Sequence, residues 1–110
     1  MRTASEPTEL RIVDQARSIA GRDYYFRYRN ARMRVHVAPV AVDGVDAWRV
    51  DASVRAFPEG EATTVHDTGL TRTDALRSLA RSSLSGESSH MMGLFDWEAV
   101  EKLLVQVKAL

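Results

Sequence analysis

The residues of this chain best suited to chemistry recur at every second position. Arg32, Arg34 and His36 form one such series, and Arg49, Asp51, Ser53 and Arg55 form another. A two-residue period puts each series on one face of an extended strand, because successive side chains of a strand point to opposite sides. Guanidinium groups gathered in this way pair with phosphate or carboxylate, since the planar fork of arginine meets two oxygens at once. A histidine set among aspartates could instead move protons or ligate a metal.

Metal ligation finds little support in the spacing. His36, His66, Asp67 and His90 show no His-x3-His pattern, and His66 and Asp67, being adjacent on an extended segment, point to opposite faces. Ser88-Ser89-His90 sets hydroxyls beside an imidazole, but adjacency in sequence does not build a triad, and no nucleophile elbow is present. The six glycines are scattered singly, so there is no glycine-rich phosphate loop. The absence of cysteine excludes disulfides, zinc–thiolate sites and thiol nucleophiles, and fits a reducing compartment. No catalytic residue, cofactor or metal is expected.

Charge supplies the other clue. The chain is neutral overall, yet residues 1–55 carry ten Arg against seven Asp/Glu, while residues 56–110 carry five Lys/Arg against eight Asp/Glu. Six arginines fall within Arg17 to Arg34 against the single Asp23. Arginine outnumbers lysine 13 to two, which suits phosphate recognition but also accompanies the 14 alanines that a GC-rich coding bias would produce.

These residues must be held by a small number of elements. At 110 residues, 45% hydrophobic and 27% charged, the chain has the composition of one globular domain spanning 1–110, with one core. The N-terminus lacks an apolar leader, and no stretch is long and apolar enough to span a bilayer. A cytoplasmic protein without membrane contact is therefore expected.

Val42-Asp43-Gly44-Val45 is the strongest local signal, because Asp-Gly supplies the two positive φ angles of a two-residue type I′ turn. It predicts a hairpin over Met33 to Phe57 in which partner numbers sum to 87. In that register Trp48, Val50, Ala52 and Val54 face the same way as Pro39, Val37, Val35 and Met33. Pro39 opposes Trp48 at a pair without hydrogen bonds, so its nitrogen points outward and the first strand should be an edge at that level. A third strand at Ala62 to Thr68 follows the turn Pro58-Glu59-Gly60-Glu61. Pairing Phe57 with Ala62 puts Val65 on the core face and His66 beside Ser53.

Helices are predicted around this sheet. Ile12, Val13, Ala16, Ile19 and Ala20 recur at helical spacing, with Pro7 in the first turn and Gly21 as the stop, which predicts a helix over 7–20. Thr71 caps a second helix with Asp74 three residues on, and Gly86 ends it. After a polar linker from Ser82 to Ser89, Asp96 caps a third helix with Val100, Leu103, Leu104, Val107 and Leu110 as its stripe, and Phe95 and Val100 are spaced for a staple across the cap. Tyr24 to Arg29 alternates as a strand would, and is either an extra strand turning back at Asn30-Ala31 or an extended lead into the hairpin.

The expected architecture is α+β, a three-stranded antiparallel meander with helices packed on one face in the order α-β-β-β-α-α. Its other face carries the candidate binding surface: Arg32, Arg34, His36, Arg49, Asp51, Arg55 and His66, with Ser53 and Thr64. As an anion or nucleic-acid contact this surface would bind with strong salt dependence. As an ordinary solvated face it would be stitched by Asp51 to His36 and Arg49. The three hairpin strands put no aromatic ring there, which argues against single-strand stacking. Duplex binding in the manner of the double-stranded-RNA-binding domain, whose helix–strands–helix order this arrangement echoes in topology alone, is disfavoured too. Thr71-Arg72-Thr73-Asp74 offers one Arg and one acid where that family sets a lysine cluster, and the hairpin tip is acidic. Met91-Met92-Gly93-Leu94-Phe95 is a second candidate surface, either a groove for a protein partner or a second copy, or a cover for the end of the core. A small non-catalytic interaction or regulatory module, acting on a protein partner or as a homo-oligomer, is the expected function, with anion or nucleic-acid binding through the arginine face as the alternative.

Overall fold

The computed structural model describes residues 9–18, 20–56, 60–84 and 89–110. Its sheet grows from the central hairpin. Asp43 and Gly44 both take positive φ, 51° and 78°, and β3 (Ala31–Val42) pairs with β4 (Val45–Ala56) from Val42↔Val45 to Ala31↔Ala56, every pair summing to 87. The right-handed twist of two strands matches a type I′ turn, which is why Asp-Gly fixes the register so firmly. Val35, Val50, Ala52 and Val54 are completely buried on one face, while Arg34 on the other is exposed. Trp48 is half-buried, with the Arg72 guanidinium stacked 5.0 Å from its ring centroid.

The expected three-stranded sheet and the order α-β-β-β-α-α are overturned. The sheet has five antiparallel strands in the order β1-β2-β3-β4-β5, and the three helices all follow it. The predicted helix over 7–20 is instead strand β1 (Arg11–Ser18), paired to β2 (Gly21–Tyr28), with Pro7 and Ile19 outside the described residues. Two physical causes account for the difference. A β-bulge between Ile12 and Asp14 breaks the two-residue alternation and leaves apolar residues at spacings that mimic a helix. The strand also lies at the sheet edge, where only Ile12 packs against the core, so no clean apolar face is needed. Ala20, not Gly21, takes the left-handed conformation in the β1–β2 turn.

Tyr24 to Arg29 resolves as the extra strand. Tyr24↔Val35 and Phe26↔Met33 add two buried rings to the core face, and Arg29 turns the chain at φ 53° with its guanidinium 5.1 Å from the Tyr28 ring centroid. Pairing of β2 with β3 reaches Arg22↔Val37, so Pro39 has no β2 partner, as its missing N–H requires.

β5 (Thr63–Gly69) lies beside β4, displaced two residues from the expected register: Val65 faces Ala52, and His66 faces Asp51 rather than Ser53. Phe57, Pro58 and Glu59 are outside the described residues. An even displacement keeps every side chain on its predicted face. The register is set by the next element, because Gly69 opposes Trp48 where a Cβ would stand 2.5 Å from the Ala75 nitrogen of α1.

Thr71 caps α1 (Arg72–Ser83), its Oγ1 accepting from the Asp74 N–H at 3.0 Å. Leu76 and Leu79 pack on the sheet, and Asp67 on the same face accepts from the Ser78 hydroxyl at 2.6 Å. Gly86 lies outside the described residues, Ser82 and Ser83 belong to α1, and Ser89 opens a one-turn helix, α2 (Ser89–Met92), inside the expected linker. Asp96 caps α3 (Trp97–Gln106), which Arg77 ties to α1 through a bidentate pair with Glu101 at 2.9 and 2.8 Å. Among the described residues no helix is long and apolar enough to cross a membrane.

The unexpected strand β2 carries enough of the core that Phe26→Ala should cost about 3–5 kcal/mol in urea unfolding; a loss near zero would mean β2 is not packed as described. The Ser78 hydroxyl also holds the Asp67 carboxyl below its ordinary range, against the opposing effect of burial and with help from the Thr68 N–H. A lowered acid stabilises the fold above its unfolded value of about 3.9 and loses that contribution as pH falls through the lower folded value. Asp67→Asn should therefore destabilise at neutral pH, with the gap from the parent narrowing on acidification in thermal melts.

Candidate functional site

All three helices lie on the Val50 face, and among the described residues no element covers the opposite one. The cross-strand pairs arrange that open face in rows. Next to the apolar pairs Val42–Val45 and Val40–Ala47 at the hairpin tip, Ala38 pairs with Arg49 and Arg49 with Thr68. The next row reads Ala16, Asp23, His36, Asp51, His66, and the one after it Asp14, Tyr25, Arg34, Ser53, Thr64. Farthest from the tip, Arg11 pairs with Arg27, Arg27 with Arg32 and Arg32 with Arg55. All seven predicted surface residues lie on this face, divided between two places.

The first place surrounds His36. Its Nδ1 lies 2.7 Å from Oδ1 of buried Asp23 and 3.1 Å from the Ser18 hydroxyl. An ionised carboxylate only accepts, so Nδ1 carries the proton and donates to Asp23. Ser18 meets the same nitrogen. A nucleophilic serine needs the ring nitrogen that the carboxylate does not hold, so these three residues do not form a hydrolytic triad. On the other side of His36, Asp51 is gripped by Arg49 through Nε at 2.9 Å and Nη2 at 3.0 Å. That hydrogen bond and the opposite charge hold the Arg49 guanidinium above its ordinary range. Arg49 and Asp51 thus neutralise each other, and His66 stands exposed beyond them. A groove of about 730 Å³ here is lined by Asp23, His36, Asp51 and the committed Arg49, and it reaches Arg34, which it shares with the second place. Among the described residues, no group of three or more His, Asp or Glu is placed to hold a metal ion.

The second place is the arginine row. Neighbouring strands are about 4.7–4.9 Å apart, so the four arginines cross roughly 14 Å of sheet with each backbone directly opposite the next. Like charges in that relation repel. Arg34 stands one row away, beside Tyr25, and a groove of about 630 Å³ is lined by Tyr25, Arg27, Arg32, Arg34 and Arg55. Asp14 is the carboxylate at its margin, and it accepts the adjacent Gln15 N–H at 2.8 Å. Strand alternation divides the basic run of the sequence: Arg27, Arg32 and Arg34 reach this face, while Arg17 and Arg22 pair with each other on the other side.

Tyr25 and Arg27 line the groove and Arg11 extends the row beyond it on β1; none of the three follows from the register of the Asp43-Gly44 hairpin. Tyr25 and Arg27 were findable, because a hairpin turned at Arg29-Asn30 pairs residues summing to 59 and sets Tyr25 opposite Arg34. Nothing local signals Arg11, since the bulge lies between it and the rest of β1. The expectation of a face without aromatic rings is corrected by Tyr25. The Met91–Phe95 segment, in contrast, is largely spent on the core: Met92 and Phe95 are buried, and the Trp97 indole donates to the Met92 carbonyl at 2.9 Å.

The chain matches no protein-family model, no curated protein and no solved structure. The chemistry of the face therefore has to be argued from its own residues.

Relief of the row's repulsion is measurable in the isolated protein. Arg55→Gln should raise stability by up to about 1 kcal/mol at low ionic strength, and the gain should shrink in concentrated salt as the charges are screened. A salt-independent change would show that the row is not a locus of repulsion.

Proposed function

We propose that this protein is a non-catalytic binding module that receives an anionic partner on its open sheet face. The observation that carries this is the in-register row Arg11, Arg27, Arg32 and Arg55, with Arg34 beside it. A sheet that needed only a solvated face would be better served by alternating charges, as in the His36 row two rows away. Like charges held opposite one another repel, and an anion laid across them lowers that repulsion. Phosphate, sulfate and carboxylate all fit the guanidinium fork.

Two features favour binding over catalysis. The Ser18–His36–Asp23 contacts leave the hydroxyl without a base to activate it, and Asp51 is neutralised by Arg49. A protein interaction through Met91–Phe95, whether with a partner or with a second copy, loses support because that segment's largest side chains are turned inward. Among the described residues the open face is the surface on which cationic side chains are gathered.

Retention on immobilised heparin tests this reading. The parent should bind at low salt and elute as salt rises, since each guanidinium–anion contact releases a counterion. Arg34→Glu combined with Arg55→Glu should abolish retention, whereas Arg81→Gln, which removes an exposed charge from α1, should leave it unchanged. A parent protein that passes unretained at low salt would overturn the proposal.

A further inference from the structure

The anion-binding reading leaves open which anion fits, and the composition of the second groove narrows it. Tyr25 sits in the cross-strand row next to the arginines, with Arg34 directly opposite on β3, and it lines the same groove as Arg27, Arg32 and Arg55. An aromatic ring among regularly spaced guanidinium groups on a sheet face is the combination that holds unpaired bases. The ring stacks on a base of any sequence while the cations track the phosphates. Arginine serves this better than lysine, because its planar group can stack as well as pair.

We infer that the Tyr25–arginine groove binds single-stranded nucleic acid, with Tyr25 as the stacking platform and Arg34 and Arg55, continued by Arg11 beyond the groove on β1, as the phosphate contacts. This rests on the anion-binding reading of the same face. An acidic protein segment fits less well. Extended peptides dock by adding main-chain hydrogen bonds at a sheet edge, whereas β2, β3 and β4 at this groove are paired on both sides and present side chains alone. A duplex would stack its bases away from Tyr25. It would also have to run along a hairpin whose far end carries Asp43 and Asp46.

Binding of the full chain to a single-stranded oligothymidylate of about ten nucleotides, a length within the usual site sizes of such platforms, tests this against an abasic strand of equal length, the matching duplex, poly-glutamate and heparin. The oligothymidylate should bind roughly five- to 150-fold more tightly than the abasic strand, the range that loss of a base stack gives. Tyr25→Ala should erase that preference and Tyr25→Phe should keep it. The slope of log affinity against log salt should fall by about 0.7 for each arginine replaced by glutamine. Equal affinity for the base-bearing and abasic strands would overturn the stacking inference and leave anion binding standing, as would tighter binding of duplex or poly-glutamate. Failure to bind any of these polyanions, heparin included, would overturn the anion-binding reading itself. The abasic comparison uses the parent protein, so it decides the matter even if Tyr25→Ala does not fold.

Discussion

The two-residue turn at Asp43–Gly44 sets the conditions for everything else in this protein. Once both residues take positive φ, the pairing of β3 with β4 is fixed, and with it the side on which every residue of two 12-residue strands must lie. Val50 and Val54 are driven to the core, and Arg32, Arg34, Arg49 and Arg55 to the opposite face. β2 then joins β3 in a register that brings Tyr25 and Arg27 up beside them, and β1 adds Arg11. No later packing choice could remove these arginines from one another, because a one-residue slip would bury them and expose the valines.

Local signals were legible and distant ones were not. The turn and the Thr71 and Asp96 caps depend on residues a few positions apart and are found where residue type and spacing put them, while of the expected α3 stripe Val100, Leu103 and Leu104 lie within the helix and Val107 and Leu110 beyond its end. The register of β5 depends on how closely α1 approaches Gly69, a contact that no pattern within the strand reveals. β1 carries a helix-like pattern because an exposed edge strand need not alternate and its bulge shifts the apolar residues out of a two-residue period. Of the binding face, the seven residues on β3, β4 and β5 were legible. The part that gives the face its character, a continuous row rather than scattered charges, came from β1 and β2. Tyr25 in particular required knowing that Tyr24 to Arg29 was a strand with Tyr24 and Phe26 inward.

The open face thus combines two opposite electrostatic solutions on one sheet. Around His36 the charges are arranged as neighbours of opposite sign, with Asp23 and Asp51 flanking the imidazole and Arg49 closing the set. Such an arrangement stabilises the fold modestly and leaves little for a ligand to do. One row beyond Tyr25 the charges have a single sign, which costs stability and raises the local potential. Asp43 and Asp46 at the far tip strengthen the contrast along the hairpin, so an anionic chain would be drawn toward the arginine end. The helices, anchored on the other face by Leu76, Leu79, Val100 and Leu104, hold the sheet firm without competing for this surface.

Backbone amide spectra recorded while heparin is titrated into the protein would test this account most directly. The account predicts that the largest shifts fall on Tyr25, Arg27, Arg32, Arg34 and Arg55, with α1 and α3 nearly still. Shifts concentrated on the helices, or around His36 with the arginine row unmoved, would contradict it.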